Sequence, residues 1–255
     1  MKIESFIKTK ENKYKLVLNN DEEIELYDDV IVKYSLLVNK DLDKNKLKEL
    51  LDYNSNLDAY YKSLKLLSKK MMSKKELIKK LEKDDFNKEV ILSVIERLYK
   101  ESYLNDEVYV KAYINDQINL KLVGPNKIYK DLCNLGFEDN LINKHLEDIN
   151  DSIWSDKINK YITKKIKSSS NLSAQKLKQK LAIDLVTKGF YKEEVLDIIN
   201  NYTFITNSNV ILKEYNKLKK KYENKYNDNE LKYQIQNKLF LKGFTKEEIN
   251  EVLDK

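Results

Sequence analysis

Five apolar positions at fixed offsets recur along this chain. With Phe190 as origin, apolar residues stand nine and five places before it (Leu181, Leu185) and five and nine after it (Val195, Ile199). The same offsets from Phe244 give Ile235, Leu239, Ile249 and Leu253; from Phe137, Ile128, Leu132, Ile142 and Leu146; from Phe86, Leu77, Leu81, Ile91 and Ile95. The residue before each Phe is Gly136, Gly189 or Gly243, with Asp85 in the first copy. Spacing of four on either side of the Phe places each apolar pair on one helix face. The Gly fits the left-handed residue that ends a helix, and acids such as Glu193, Glu194, Glu247 and Glu248 fit the start of the next. Thr245 with Glu248, and Ser73 with Glu76, have capping-box spacing. Each copy therefore predicts a helix–turn–helix corner, and a repeat of this length has room for a third helix.

The predicted architecture is all-α. About four tandem three-helix repeats form an extended, curved array behind a small β-rich N-terminal module. The predicted boundaries are 1–54 for the module and 55–104, 105–154, 155–205 and 206–255 for the repeats. Within the module, short apolar runs at Ile3–Ile7, Tyr14–Leu18 and Glu23–Tyr27 read as a β-meander of two or three strands, with turn chemistry at Asn19-Asn20-Asp21. Such a sheet must pack on helices. Asp28–Leu37 fits a short helix and Asp43–Tyr53 a longer one. Asp58 reads as the cap of a separate helix reaching about Lys69. In the second repeat Asn105-Asp106 reads as a helix start. Tyr109 and Tyr113 share a helical face and read as core. Gly124 reads as a site of unusual dihedrals before Pro125, which suits a first helical turn. In the third, Ser168–Asn171 reads as a polar loop.

Composition supports helices: the 255 residues include one Pro and four Gly. A single Cys excludes an internal disulfide framework, and no run of apolar residues is long enough to span a membrane. The expected setting is cytoplasmic. Net charge is +6. Lys62–Lys83 carries nine Lys against two Glu, and Asp156–Lys180 eight Lys against one Asp, whereas residues 106–155 are net −4. The basic segments point to a polyanion partner. Candidate contacts are Lys69, Lys70, Lys74, Lys75, Lys79, Lys80, Lys164, Lys165, Lys167, Lys176 and Lys178. Solvated helix faces in a Lys-rich chain are the competing reading. Arg97 is the only arginine, so bidentate base readout is nearly out of reach and any DNA binding should be weak, nonspecific and salt-sensitive.

Chemistry is sparse. No Gly-rich phosphate cradle is encoded. One His and one Cys do not make a zinc site or a nucleophile–base pair. His145 occupies a helix position filled elsewhere by Val94, Ile198 and Val252 and reads as packed. Cys133 reads as a small apolar filler. No enzyme, metal or cofactor is expected, and a monomer is.

Three segments in sequence, MSKKELIKKL, YLNDEVYVKAYI and VGPNKIYKDLCNLGF, resemble the RecX family of bacterial regulatory proteins. Ser73, Glu76, Leu77, Leu81, Tyr103, Asn105, Asp106, Tyr109, Tyr113, Gly124, Pro125, Ile128, Leu132 and Gly136 fit that family's motifs in order. The specific part covers residues 59–146. Met71-Met72 stand where the family often has Arg before the Ser. The resemblance implies a non-enzymatic regulator of DNA recombination and repair. It would bind in the groove of the RecA filament on DNA, with single- or double-stranded DNA as a secondary contact, and inhibit strand exchange and ATP hydrolysis. From the residues alone, a nonspecific nucleic-acid-binding repeat protein and a structural adaptor stand beside it.

Overall fold

In the computed structural model the chain is described over residues 1–10, 12–168 and 171–253. Ser169 and Ser170 of the predicted polar loop, and Asp254 and Lys255 of the last predicted repeat, lie outside the described residues. Three strands come first: β1 (Ile3–Lys10), β2 (Lys13–Leu18) and β3 (Glu23–Tyr27). They form an antiparallel meander in sequence order, with Leu16 opposite Phe6 on one side and Ile24 on the other. Asp21 takes the left-handed conformation in the predicted turn. Thirteen helices follow among the described residues: α1 (Asp28–Lys33), α2 (Lys44–Leu67), α3 (Lys74–Lys83), α4 (Lys88–Lys100), α5 (Asp106–Leu120), α6 (Pro125–Leu135), α7 (Asp139–Glu147), α8 (Asp151–Ser168), α9 (Ala174–Thr187), α10 (Lys192–Asn200), α11 (Ser208–Tyr222), α12 (Asp228–Leu241) and α13 (Lys246–Leu253). After α1 they read as four successive triplets, α2–α4 to α11–α13.

The chain divides into two compact units. One holds residues 1–111 and 134–138; the other holds 112–133 and 139–255. Of the twenty pattern positions all are buried except Phe86, Leu146 and Leu253, which are half-buried.

In the first unit the sheet docks on α2. Ile3, Leu16, Leu18 and Leu26 join Val30, Ile31, Leu36, Leu50 and Leu57 in one apolar cluster. A polar seam runs beside it. Asn54 accepts from the Tyr27 backbone N–H (3.0 Å) and donates to the Glu25 carbonyl (3.2 Å). Asp58 accepts from the Tyr27 hydroxyl (2.7 Å) and the Lys13 ammonium (3.0 Å), and the Tyr61 hydroxyl donates to Asp29 (2.6 Å). Asp58 is thus not a cap. The helix runs through it, because Asn54, Asp58 and Tyr61 sit at helical spacing and find their partners on the sheet and on α1 rather than on their own backbone. Burial disfavours the Asp58 charge, but the Tyr27 and Lys13 hydrogen bonds outweigh it and hold the carboxyl below its usual range. Burial and the Asp58 contact push the Tyr27 phenol up to about 12.

The corners follow one construction. At the end of α9 the Gly189 N–H donates to Val186 O (2.9 Å) and the Phe190 N–H to Leu185 O (3.2 Å), with Gly189 at φ +93°. Asp85–Phe86 and Gly243–Phe244 repeat both bonds. This is the Schellman closure, in which the two residues beyond the helix satisfy its last carbonyls. The accompanying apolar contact is the Leu–Phe pair of the pattern. Two of the following helices start on a side-chain cap: Asn87 accepts from Val90 N–H (2.9 Å) at α4, and Thr245 and Glu248 cap each other at 3.2 and 2.8 Å at α13, whereas α10 starts at Tyr191 with no side-chain cap. The Ser73–Glu76 capping box opens α3 as the spacing predicts.

Candidate functional site

Each of three corners receives the first turn of the hairpin helix from the preceding triplet. Within the second unit, the Gly124 and Asn126 N–H groups at the start of α6 donate to Lys188 O (2.9 Å) and Gly189 O (3.0 Å) at the end of α9. A methyl on Gly124 would lie 2.3 Å from the Phe190 nitrogen, and one on Gly189 would lie 2.4 Å from Lys127 backbone. Ser173, at the start of α9, donates from its hydroxyl to Lys242 O (2.9 Å), and a methyl on Gly243 would come 3.0 Å from that hydroxyl. In the first unit, Lys75 at the start of α3 donates from its ammonium to Asn134 O (3.0 Å), with its stem against Gly136. At the Gly124 seam free N–H groups of one helix start thereby meet free carbonyls of another helix end, while at the other two a side-chain donor of the helix start reaches the carbonyl. Gly124 is a correction to the sequence reading. Its φ is not in the left-handed region; the need is space for a neighbouring backbone.

The candidate lysines fall in two groups. Lys69, Lys70, Lys74, Lys75, Lys79 and Lys80 lie at and beyond the loop before α3, all exposed. Lys70 pairs with Glu76 at 3.3 Å, and Lys75 is committed to its seam. Lys69, Lys74, Lys79 and Lys80 make no ion pair among the described residues. Lys79 sits opposite the buried Leu77–Leu81 face. In the second unit, Lys164, Lys165 and Lys167 occupy the end of α8, and Lys165 lies 5.6 Å from the Tyr161 ring. Lys176 and Lys178 sit early on α9, with the Lys176 stem against Gly243.

The motif residues mostly hold structure. Ser73 and Glu76 form the box, and Leu77 and Leu81 are buried. Asn105 accepts from Val108 N–H at 3.0 Å, Asp106 from the Tyr99 hydroxyl at 2.7 Å. The Tyr109 ring packs 4.9 Å from Phe137, and its hydroxyl is 3.4 Å from Glu76. Tyr113 is half-buried, and burial beside Asp131 pushes its phenol up. Pro125 is buried at the first position of α6. Arg97 stacks 3.6 Å over Tyr60 and pairs with Glu101 at 2.8 Å, which spends its guanidinium internally. The Tyr60 and Arg97 hydrogen bonds hold the Glu101 carboxyl below its usual range. Cys133 is more than filler: its thiol faces Asp139 at 3.4 Å, and burial with that carboxylate raises its pKa. His145 is mostly enclosed, 4.0 Å from Asp148.

Among the described residues no group of His, Cys, Asp and Glu could hold a metal ion, and no helix is long and apolar enough to cross a membrane. These features define a tandem three-helix-repeat protein with a β-rich N-terminal module and a lysine-studded surface. The pattern describing the first three-helix domain of RecX matches residues 59–98. The regulatory protein RecX of Streptococcus agalactiae serotype Ia is 32% identical over 256 residues, spanning 97% of this chain and 96% of that protein. A crystal structure of a regulatory protein RecX matches with TM-score 0.67 at 22% identity, over 79% of this chain and 99% of that one. RecX from Lactobacillus salivarius matches with TM-score 0.54 at 26% identity, over 58% of this chain and 96% of that one. The chain belongs to the RecX family of regulatory proteins.

Proposed function

We propose that the protein regulates RecA by lying in the groove of the RecA–DNA filament and slowing strand exchange and ATP hydrolysis, without chemistry of its own. Family membership across nearly the whole chain carries this reading. The structure lends it two supports. Successive triplets joined at these seams give a set of linked contact modules, and linked contacts act together through effective concentration. We read residues 55–104, 105–154, 155–205 and 206–255 as those modules and 1–54 as the added piece, with α2 running through the first boundary. The second support is Lys69, Lys74, Lys79 and Lys80, unpaired and exposed. They suit phosphate as point charges, with little sequence preference because Arg97 is occupied. The protein would work as a cytoplasmic monomer.

The test is cosedimentation with RecA filaments on single-stranded DNA, with RecA alone and DNA alone as controls, and the ATPase rate against added protein. Saturable binding to filaments and a falling rate are expected. The combined Lys74→Gln, Lys79→Gln and Lys80→Gln variant should bind more weakly with a flatter salt dependence. If the rate is unchanged while bare DNA is bound, a nonspecific nucleic-acid-binding protein replaces this reading.

A further inference from the structure

The segment that runs against the basic trend of the chain, residues 106–155, contributes to an open groove of about 630 Å³ in the second unit. Aromatic rings form part of its wall: Tyr129 from α6, Trp154 from α8 and Tyr191 at the start of α10. Three carboxylates share it: Glu147 at the end of α7, Asp151 at the start of α8 and Glu194 on α10. Among the described residues no lysine or arginine lines it. None of the three acids makes an ion pair among the described residues, in a chain with 48 basic side chains. Burial, together with the Asp151 charge, pushes the Glu194 carboxyl above its usual range. Glu194 and Asp151 thus repel each other, and a cation would relieve that repulsion. Of these rings Tyr129 and Tyr191 keep exposed surface, and aromatic surface beside carboxylates suits a cation with an apolar stem, since the ring attracts the charge and the stem covers the ring.

We propose that this groove seats a lysine or arginine side chain presented by a protein partner. The inference does not depend on which protein that is, so it stands apart from the filament reading above. Charge complementarity selects the occupant: DNA would be repelled by the three carboxylates. An uncharged apolar segment would leave them unpaired in a partly desolvated site.

Trp154 is the only tryptophan of the chain, so its emission reports on the groove. The full-length protein is titrated with a capped pentapeptide bearing one central arginine, and with the same peptide carrying neutral citrulline. A saturable emission change with arginine and none with citrulline is expected. The Glu147→Gln, Asp151→Asn, Glu194→Gln variant should bind about tenfold more weakly or worse, the scale of losing a paired charge. Tyr191→Ala, at a half-exposed ring outside the core, should also weaken binding; unfolding midpoints confirm that both variants fold. An equal response to citrulline, an unchanged triple variant, or no response to either peptide would overturn the proposal. So would a dimer in sedimentation that the triple variant abolishes, because the occupant would then be a second copy of this chain.

Discussion

Asp85 and Gly189 occupy the same place in their repeats and close their helices with the same two hydrogen bonds. Both are left-handed, at φ +61° and +93°. Yet one carries a side chain and the other cannot. Asp tolerates the left-handed region at modest cost. What forbids a side chain at Gly189 is the backbone of Lys127 pressed against it. The corner as such needs only a permissive residue; the docking of another helix start makes it glycine. Gly124, the opposite side of the same seam, has no unusual φ and is glycine for space alone.

The sharpest attempt to break this comparison is Gly124→Ala. With backbone atoms in the way, it should cost about 3 kcal/mol or more, read from denaturant midpoints. Gly136→Ala, which meets only the flexible Lys75 stem, should cost clearly less. If the two are equal, strain at the corner rather than crowding rules. Phe190→Ala comes next, at roughly 3–5 kcal/mol for a fully buried ring. Phe86→Ala should cost about half of that, since its ring is already partly in water. Ser173→Ala and Ser73→Ala both remove a cap, worth about 1 kcal/mol. Ser173 also serves Lys242 O across the seam, so its loss should be larger by about 1 kcal/mol. The gap should vanish in a protein truncated before α12.

The polar seam of the sheet offers a contrast by pH. The Asp58 pKa is lower folded than unfolded, so its contribution is full above the unfolded value, about 4. That contribution is lost as pH falls through the lower folded value. Thermal midpoints of the wild type should therefore drop more steeply below about pH 4 than those of Asp58→Asn. Parallel curves would show that Asp58 does not pin the sheet. The smallest effect belongs to Asp85→Gly, within about 1 kcal/mol in either direction, as relief of the left-handed cost offsets the added freedom of the unfolded chain.

The corners were legible because they are local. A five-point apolar code, a cap and a left-handed residue all lie within one stretch of chain. The three-strand meander was legible for the same reason. The continuity of α2 was not: Asn54, Ser55 and Asn56 look like a break until the sheet supplies partners for Asn54. The spacing of Asn54, Asp58 and Tyr61 was the signal that could have revealed it. The seams were beyond reach because carbonyls such as Lys188 O and Asn134 O have no signature in side-chain identity. For the same reason Lys75 and Lys176 could not be separated from their solvated neighbours. The acidic groove left one trace, a negative segment holding the sole tryptophan, but its members come from four helices.

Each seam joins a helix start to the corner of the next triplet and asks nothing of more distant triplets. A gene segment cut or copied from corner to corner would carry one socket and one plug with it. Such a chain can lengthen or shorten by whole repeats over evolutionary time without inventing a new interface. The glycines then serve as tally marks of how many times that copying was kept.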